Sequence, residues 1–551
     1  MAPDASPDLL TTAESANERI DAIEGMAHEA YRASLEGVTR RPDPLDATLP
    51  RDHPTGRRRQ RAAGAPGTRR RLAALRALLA AMPLPPVVMR LVAGPAERSA
   101  YLGNAGVAFM IRVAGAGLGL FLQVLLARLL SLTDYGVYVT VWTWLVVAGQ
   151  ISALGFNDSC LRFLPRYVSR RRYGVAHGYL RNGFGFVVIG SSAIGAIGLT
   201  ALGLLSSLPS PLKPAAELWP LLSILFAGIP VLACELYLQG VARSFGWFAL
   251  SSAPAFVLRP VVLGVALIAA SAWGLELNAA AALAIAIAVT GLLTVGEAVI
   301  LRRRIVAELG RGDLAPASGK RRQLWLRAAL PLIAVYGIEE IYLVSDILLL
   351  GLLGDPAAVG VYFAAVRVMT LPAYVHYAFM LISGREFSLA RAGGDRAELT
   401  RRVRDATWWT FWLTIPAVLA TLAIGYPLLA FFGPEFVVGS SVLVVLGLGM
   451  TARASVGQAA DLLVVLGHQR ANLKAASMSL ALNVVVTLAL VPMVGLLGAA
   501  IGMALSQAAR AAALRYYAKR QANIETFVFS GWPVWRSGLG ASPQIGPSPQ
   551  T

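Results

Sequence analysis

The sequence predicts an all-α polytopic membrane protein: twelve transmembrane helices in two six-helix lobes related by a parallel internal repeat, with a disordered cytoplasmic N-terminal tail. Three observations support this fold class. Only 15% of the 551 residues are charged and 56% are hydrophobic, whereas soluble proteins average about 25% charged residues. From Tyr101 onward, apolar runs longer than about 18 residues recur, and each could cross a bilayer core. A sequence block at residues 129–138 returns at residues 352–362.

Residues 1–98 differ in composition from the rest of the chain. Tyr31 is the only aromatic side chain there, and residues 51–98 carry eleven arginines. Such a segment buries too little apolar surface to offset the entropy cost of ordering it. We therefore expect a disordered, arginine-rich cytoplasmic tail. No apolar stretch follows the start of the chain, so no signal peptide is predicted.

Twelve apolar runs follow the tail. They cover residues 102–127, 136–156, 180–207, 218–242, 247–272, 276–300, 324–353, 357–383, 406–432, 438–466, 471–492 and 494–518. The connections on one side of the membrane are short, which disfavours a membrane polymerase, ligase or glycosyltransferase with an outer catalytic loop. The other connections contain neither a phosphate-binding glycine loop nor a nucleotide motif, so ATP-driven transport by this chain alone is disfavoured.

The arginines give the orientation of the chain. They cluster on one side, at residues 57–59, 170–172, 302–304 and 401–404, whereas the opposite side has only Arg128 and Lys213. Cytoplasmic loops carry an excess of Arg and Lys, which predicts that both termini lie in the cytoplasm. Because the net charge of +18 lies mainly in these loops and the tail, it does not indicate nucleic-acid binding.

The repeated block indicates a duplication of six helices. Gly136-Val-Tyr returns as Gly360-Val-Tyr after 224 residues, and a weaker pair, Gly240 and Gly467, lies 227 residues apart. Because six is an even number, both lobes keep the same orientation in the membrane. The predicted divisions are a tail at 1–98, an N-lobe at 99–305, a basic linker at 306–323, a C-lobe at 324–520 and a cytoplasmic C-terminal tail at 521–551.

Charged residues inside the spans are the candidate functional residues, because a charge at the bilayer centre costs at least about 2.5–3.5 kcal/mol. The candidates for substrate binding, all near mid-depth, are Arg112, Arg259, Arg367 and Arg453. The candidates for ion coupling are Glu339, Glu340 and Asp346. Each arginine could instead pair with a carboxylate of its own lobe. The residues nearer the cytoplasmic ends, interpreted as structural or interfacial, are Glu235, Glu297, Arg327 and Asp461.

No metal or cofactor site is expected. Cys160 and Cys234 are too few for a thiolate site, and the five histidines include no pair at ligand spacing.

Several segments resemble polysaccharide-biosynthesis membrane proteins. Residues 126–138, Leu-Ala-Arg-Leu-Leu-Ser-Leu-Thr-Asp-Tyr-Gly-Val-Tyr, are similar to the helix 1–2 signature of that family. Further matches are Gly155-Phe-Asn-Asp158, Gly360-Val-Tyr-Phe-Ala-Ala-Val-Arg367, Phe432-Gly-Pro-Glu-Phe436, and Asn483 followed by Leu490-Val-Pro492. In order and spacing they cover residues 102 to 518. The chain therefore resembles the lipid-linked oligosaccharide flippases of the polysaccharide biosynthesis and O-antigen transporter type, in the MOP superfamily. The arginine-rich tail departs from the family pattern.

This resemblance implies a transporter, not an enzyme. Helices 1 and 8 line the central cleft of the family, so Arg112 and Arg367 become the strongest candidates for holding the pyrophosphate of an undecaprenyl-pyrophosphate-linked oligosaccharide. The partners it implies are this substrate, membrane lipid, a coupling cation (proton or sodium) and other polysaccharide-assembly proteins. The expected mechanism is alternating access, in the assembly of O-antigen, lipopolysaccharide or exopolysaccharide.

Three alternatives stay open at this point. The first is a cation-coupled drug or metabolite antiporter of the same superfamily, which should have a cleft dominated by carboxylates. The second is a membrane enzyme. The third is a scaffold with a degenerate transport core, recruited through its tail.

Overall fold

The structure, a computed structural model, describes residues 96–206, 218–310 and 318–530. Side chains are described within these ranges except at residues 96–109, 206, 381 and 382. All regular structure in these ranges is helical. The predicted tail lies almost entirely outside the described residues, as do Lys213 and most of the predicted C-terminal tail.

Fifteen α-helices make up the described chain. They are α1 Ala96–Leu129, α2 Leu132–Ser152, α3 Phe156–Ser169, α4 Tyr173–Ser206, α5 Leu218–Ser244, α6 Phe248–Ala253, α7 Arg259–Ala272, α8 Ala279–Leu309, α9 Gly319–Leu353, α10 Pro356–Ala392, α11 Arg396–Phe432, α12 Ser440–Ala454, α13 Ala459–Val465, α14 Gln469–Val494 and α15 Leu496–Tyr517. A π-helical turn, Pro254–Leu258, joins α6 to α7 and makes them one span. A 3₁₀ turn, Pro434–Gly439, precedes α12.

Local chemistry explains where several of these helices begin. The side chain of Ser131 accepts a hydrogen bond from the Asp134 amide at the start of α2, and Asn278 caps α8 in the same way. Asp355 caps α10, whose first residue is a proline. These side chains satisfy amide groups that a helix leaves without internal partners, so each of these helices begins directly after a short turn.

The number of spans agrees approximately with the prediction. Within the described ranges, eleven helices are long and apolar enough to cross a membrane. The remaining predicted span, the seventh, is α9. It is an unbroken helix of 35 residues that carries Glu339, Glu340 and Asp346. We use "basic end" for the side of the bundle that holds the arginine-rich connections, and "opposite end" for the side of the α1–α2 and α9–α10 turns.

The second six spans repeat the order of the first six. Leu132 and Pro356, which begin α2 and α10, are 224 residues apart, as the Gly136–Gly360 pair predicts. The second predicted pair is wrong in detail: Gly240 lies inside α5, whereas Gly467 lies in a turn with a φ of +86°. The glycine in the corresponding turn after α5 is Gly246, with a φ of +75°.

The two halves meet mainly through α2, which packs against α9 and α10. At the opposite end, Arg128 in the last turn of α1 donates hydrogen bonds of 2.8 and 3.0 Å to the carbonyls of Phe431 and Ala430. At the basic end, Trp325 of α9 is fully buried in a core of first-half residues, and its indole donates to the Tyr167 hydroxyl at 3.0 Å. Specific hydrogen bonds therefore stabilise the interface between the halves at both of its ends.

Candidate functional site: a cavity between the halves

A cavity of about 210 Å³ lies between α1, α2 and α7 of the first half and α10 of the second. Arg259 and Arg367 line it from opposite halves, together with the aromatic side chains Tyr138, Trp142 and Tyr374. The cavity therefore combines positive charge with aromatic surface inside the predicted membrane region.

Arg367 enters the cavity from α10. Its guanidinium lies 4.4 Å from the centre of the Phe363 ring, and its Nε is buried without a hydrogen-bond partner in the described part of the chain. No acidic side chain of the described residues forms an ion pair with it. The ring offers a cation–π contact, which stabilises a cation without neutralising it. Arg367 thus keeps a full positive charge for an anionic ligand.

Arg112 approaches the same region from α1. Its guanidinium lies 4.5 Å from the centre of the Phe256 ring and 4.9 Å from that of Tyr377. Within the described ranges it also forms no ion pair with a carboxylate. Two aromatic faces therefore hold Arg112 between the first-half π turn and α10, and the alternative of an in-lobe carboxylate partner does not apply to it in this conformation.

Arg259 is held differently. Its Nη2 donates to Oε1 of Glu235 at 2.7 Å, while its guanidinium lies 5.8 Å from the centre of the Trp142 ring. The in-lobe pairing that the sequence left open is therefore present for Arg259. Its side chain still lines the cavity and is 18% exposed. Arg259 is a cation shared between the cavity wall and a buried carboxylate.

Arg453 lies apart from the other three arginines. It does not line the cavity, and its charged neighbours are Arg510 of α15, Glu339 of α9 and Asp461 of α13. The structure thus brings together Arg112, Arg259 and Arg367 but leaves Arg453 within the second half.

Glu339 has a partner in its own half. Its Oε1 accepts a hydrogen bond from Arg510 at 2.7 Å and one from Asn472 at 3.4 Å. The neighbouring Glu340 is half-buried and forms no hydrogen bond or ion pair with the described residues. This agrees with the helical geometry, which points adjacent side chains about 100° apart.

Asp346 is 2% exposed and is held by hydrogen bonds. The Tyr362 hydroxyl donates to its Oδ2 at 2.5 Å, and the amide of Ile347 donates to its Oδ1 at 2.9 Å. Nearby, Asn483 donates to the Ser345 hydroxyl at 2.7 Å. These contacts join α9 to α10 and α14 inside the second half, away from the cavity lining.

Two of the residues that we interpreted as structural or interfacial are deeply buried. Glu235 is 6% and Glu297 is 2% exposed, so neither side chain extends to the membrane surface as a residue near a helix end usually can. Their position on the inner faces of α5 and α8 explains the difference. A depth estimate from sequence gives height along a helix but not the face on which a residue lies.

Sequence reasoning missed the aromatic residues of the cavity and the arginine that pairs with Glu339. A signal existed for the first group, because Phe363, Arg367, Thr370 and Tyr374 recur at intervals of three and four and so share one face of α10. Arg510 lies in the middle of a predicted span and met the same criterion as the four candidate arginines.

Comparison with known proteins gives the family and the fold. The sequence matches the family described as polysaccharide biosynthesis protein over residues 101–383, and no curated protein matches it. Among solved structures, an inward-facing multidrug resistance MATE family transporter of the MOP superfamily is similar, with a TM-score of 0.59 and 14% identity, over 73% of this chain and 96% of that one.

Two further structures have the same fold. The lipid II flippase MurJ in an inward closed conformation aligns with a TM-score of 0.56 and 15% identity, over 75% of this chain and 87% of its own. A MOP superfamily transporter from Pyrococcus furiosus, whose description notes a reversed polarity of its binding pocket, aligns with a TM-score of 0.54 and 13% identity, over 76% and 94%.

The family match confirms the resemblance to polysaccharide-biosynthesis membrane proteins drawn from the sequence, and the structural matches show the fold. With its family match extending over more than half of its length, and with helices arranged as in MOP transporters, the chain belongs to the polysaccharide biosynthesis protein family of multi-pass membrane proteins.

Proposed function

We propose that this protein is a flippase that moves an undecaprenyl-pyrophosphate-linked oligosaccharide from the cytoplasmic to the periplasmic leaflet of the bacterial inner membrane. The product would serve assembly of O-antigen, lipopolysaccharide or exopolysaccharide. The observation that carries the proposal is that Arg259 and Arg367 line one aromatic cavity from opposite halves, while Arg112 lies beside it against Phe256, which also lines the cavity.

The charge of this site fits a diphosphate. Arginine stays ionised at all physiological pH values and donates two parallel hydrogen bonds to phosphate oxygens. Arg112 and Arg367 are held by aromatic rings and not by carboxylates, so their charge is available to a ligand. Tyrosine and tryptophan side chains around them also suit sugar rings and isoprenoid carbons, which present apolar faces.

The cavity is too small for the whole substrate, so transport requires a change of conformation. Its volume of about 210 Å³ lies below the range of about 300–1,000 Å³ typical of ligand pockets. In this conformation it could admit the phosphates but not a whole glycan. Rocking of the halves about the α2–α10 contact would widen it toward one side at a time, as in transporters with a site between repeats.

A coupling ion completes the proposal. Glu339, Glu340 and Asp346 were the predicted coupling residues, and their surroundings rank them differently. Glu339 already has the cation Arg510, and Asp346 is satisfied by two hydrogen bonds, whereas Glu340 has neither kind of partner among the described residues. Of the three, Glu340 therefore has the carboxylate best able to exchange a proton or sodium ion.

The runner-up, a cation-coupled drug or metabolite antiporter, fits this cavity less well. A site for cationic drugs needs acidic or neutral walls, and two arginines line this cavity with a third beside it. A polyanionic substrate is the better match.

The test is a deletion strain complemented with variants. Loss of surface polysaccharide together with accumulation of lipid-linked repeat units on the cytoplasmic side is the expected phenotype. Arg367→Ala should fail to restore transport at normal membrane abundance. Arg510→Ala is the matched control, because it removes an arginine of the second half that has a carboxylate partner, and it should lower abundance first. A deletion strain with normal polysaccharide and no accumulated precursor would contradict the proposal.

A further inference from the structure

Two buried carboxyl groups lie beside the cavity and play no part in the function proposed above. Glu297 of α8 is 2% exposed, and both of its carboxylate oxygens are buried with no hydrogen-bond partner in the described ranges. Glu235 of α5 lies next to it and accepts hydrogen bonds from Arg259 at 2.7 Å and from Gln239 at 3.1 Å. Three helices of the first half thus place two carboxyl groups around a single arginine.

The helices packed against α8 supply few other charges. Glu235 comes from α5 and Arg259 from α7, and these are the charged groups that act on Glu297. From α2, the titratable Tyr138 acts on Arg259. One guanidinium cannot neutralise two carboxylates, and an uncompensated charge in a buried site costs several kcal/mol. Glu297 therefore carries a proton in this conformation, while Glu235 and Arg259 form the ion pair.

Arg259 connects this pair to the substrate site, because the same guanidinium that binds Glu235 also lines the cavity. If Glu297 lost its proton, two carboxylates would hold Arg259 away from the cavity. If Glu297 keeps its proton, only Glu235 competes with an anionic ligand for the arginine. Protonation of Glu297 and binding of an anion at Arg259 must then favour each other.

We propose that Glu297 and Glu235 form a proton-binding site that is linked through Arg259 to binding of the anionic substrate group in the cavity. This inference rests on the proposed function. A proton from solvent binds to a carboxylate oxygen of Glu297 and leaves from the same atom, so no other reactant is needed. This linkage is reciprocal: protonation raises the affinity for the anion by some factor, and binding of the anion raises the affinity for the proton by the same factor.

The experiment measures binding of farnesyl diphosphate, a short isoprenoid diphosphate, to the full chain in lipid nanodiscs from acidic to alkaline pH. Glu297→Gln copies the protonated carboxyl in size and charge. Wild type and this variant should bind equally at acidic pH. At alkaline pH wild type should bind more weakly than the variant, by a factor between about 5 and 150, the usual range of linked sites. Glu386→Gln, which removes a carboxylate paired with Arg402 at the basic end, should follow wild type.

A second measurement needs no variant. Wild type should take up protons from a weakly buffered alkaline solution when the probe binds. Binding to arginine favours the more ionised diphosphate, so the probe itself would release protons. Net uptake must therefore come from the protein.

Different outcomes test different statements. If the probe binds with the same pH dependence to wild type and Glu297→Gln, and binding releases protons, the linkage is wrong while the proposed function stands. If the probe binds to neither protein at any pH, the diphosphate site itself is wrong.

Discussion

Gly136 and Gly360, which occupy equivalent positions in the two halves, lie against each other where α2 meets α10. A Cβ on Gly136 would overlap the carbonyl oxygen of Pro356 and approach the amide nitrogen of Gly360 to 3.1 Å. A Cβ on Gly360 would lie 3.1 Å from the ring of Tyr135. The close contact between the halves therefore leaves little room for a side chain at either repeated glycine. It is the contact about which the two lobes would rock.

Gly136→Ala is expected to destabilise this contact, because the added methyl group overlaps backbone that cannot rotate away. Overpacking of this kind costs about 1–3 kcal/mol. Thermal unfolding of the purified protein in detergent should show a lower midpoint for this variant. Gly117→Ala in α1, where a Cβ meets nothing within 4 Å, is the control and should not lower it. Equal unfolding midpoints for Gly136→Ala and wild type would show that α2 and α10 can move apart to accommodate the methyl group without loss of stability.

The charge and shape of the cavity arginines should both matter. Replacing Arg112 or Arg367 with Ala should abolish surface polysaccharide, whereas Lys should keep partial activity because it retains the charge but loses the bidentate geometry. Glu should be the most harmful substitution, because it repels phosphate. Membrane abundance measured alongside activity separates loss of binding from loss of folding. Full activity of both Ala variants at normal abundance would refute a diphosphate site here.

Topology can be tested with reporter fusions. The arginine-rich connections predict a cytoplasmic signal after residues 172, 320 and 396, and a periplasmic signal at 213 and 355. The helical turns at 170–173 and 353–356 make two of these positions accessible without interrupting a span. A periplasmic signal at residue 320 would overturn both the orientation and the even number of spans.

The N-terminal tail is expected to be dispensable for insertion. Residues 1–98 lack the apolar content of a folded core, and the cavity is formed by helices that begin at Ala96 or later. A chain starting near residue 96 should reach the membrane and retain most polysaccharide export. Normal membrane levels of the shortened protein with no export at all would instead assign the tail an essential role, as the scaffold alternative requires.

The segment after α15 should loosen in acid. Burial alone would raise the pKa of Glu525. The hydrogen bond and the charge of Arg515, with Lys519 nearby, outweigh this effect and hold the pKa of Glu525 below its ordinary value. The stabilisation is therefore present above about pH 4.3, the ordinary pKa, and is lost as the pH falls through the lowered folded value. Hydrogen exchange at the Val528 amide, which donates to the Ser455 carbonyl at 2.9 Å, reports it.

A neutral substitution tests the same ion pair at constant pH. Glu525→Gln should speed exchange at the Val528 amide by about 1.4- to 5-fold, the effect of a partly exposed ion pair. Glu435→Gln at the opposite end is the control. An unchanged exchange rate in Glu525→Gln would mean that apolar contacts alone hold the segment, such as the buried side chain of Ile524.

Amino-acid type and spacing along the chain were enough to predict the helices, the duplication and the family. The length of an apolar run identifies a membrane span because the bilayer core has a nearly constant thickness. The Gly136–Gly360 offset identifies the repeat because equivalent close contacts in the two halves need the same small residue. Arg112 and Arg367 became candidates in the same way, since any uncompensated charge at mid-depth requires a cavity or a partner.

Only the tertiary structure decided which charges have partners. Arg259 pairs with Glu235, Glu339 pairs with Arg510, and Glu297 has no partner among the described residues, although all of these are ionisable residues inside helices. Sequence gives the height of each residue along its own helix. The rotation of each helix against its neighbours, set by packing across distant parts of the chain, decides whether a charge meets a carboxylate, an aromatic ring or the cavity.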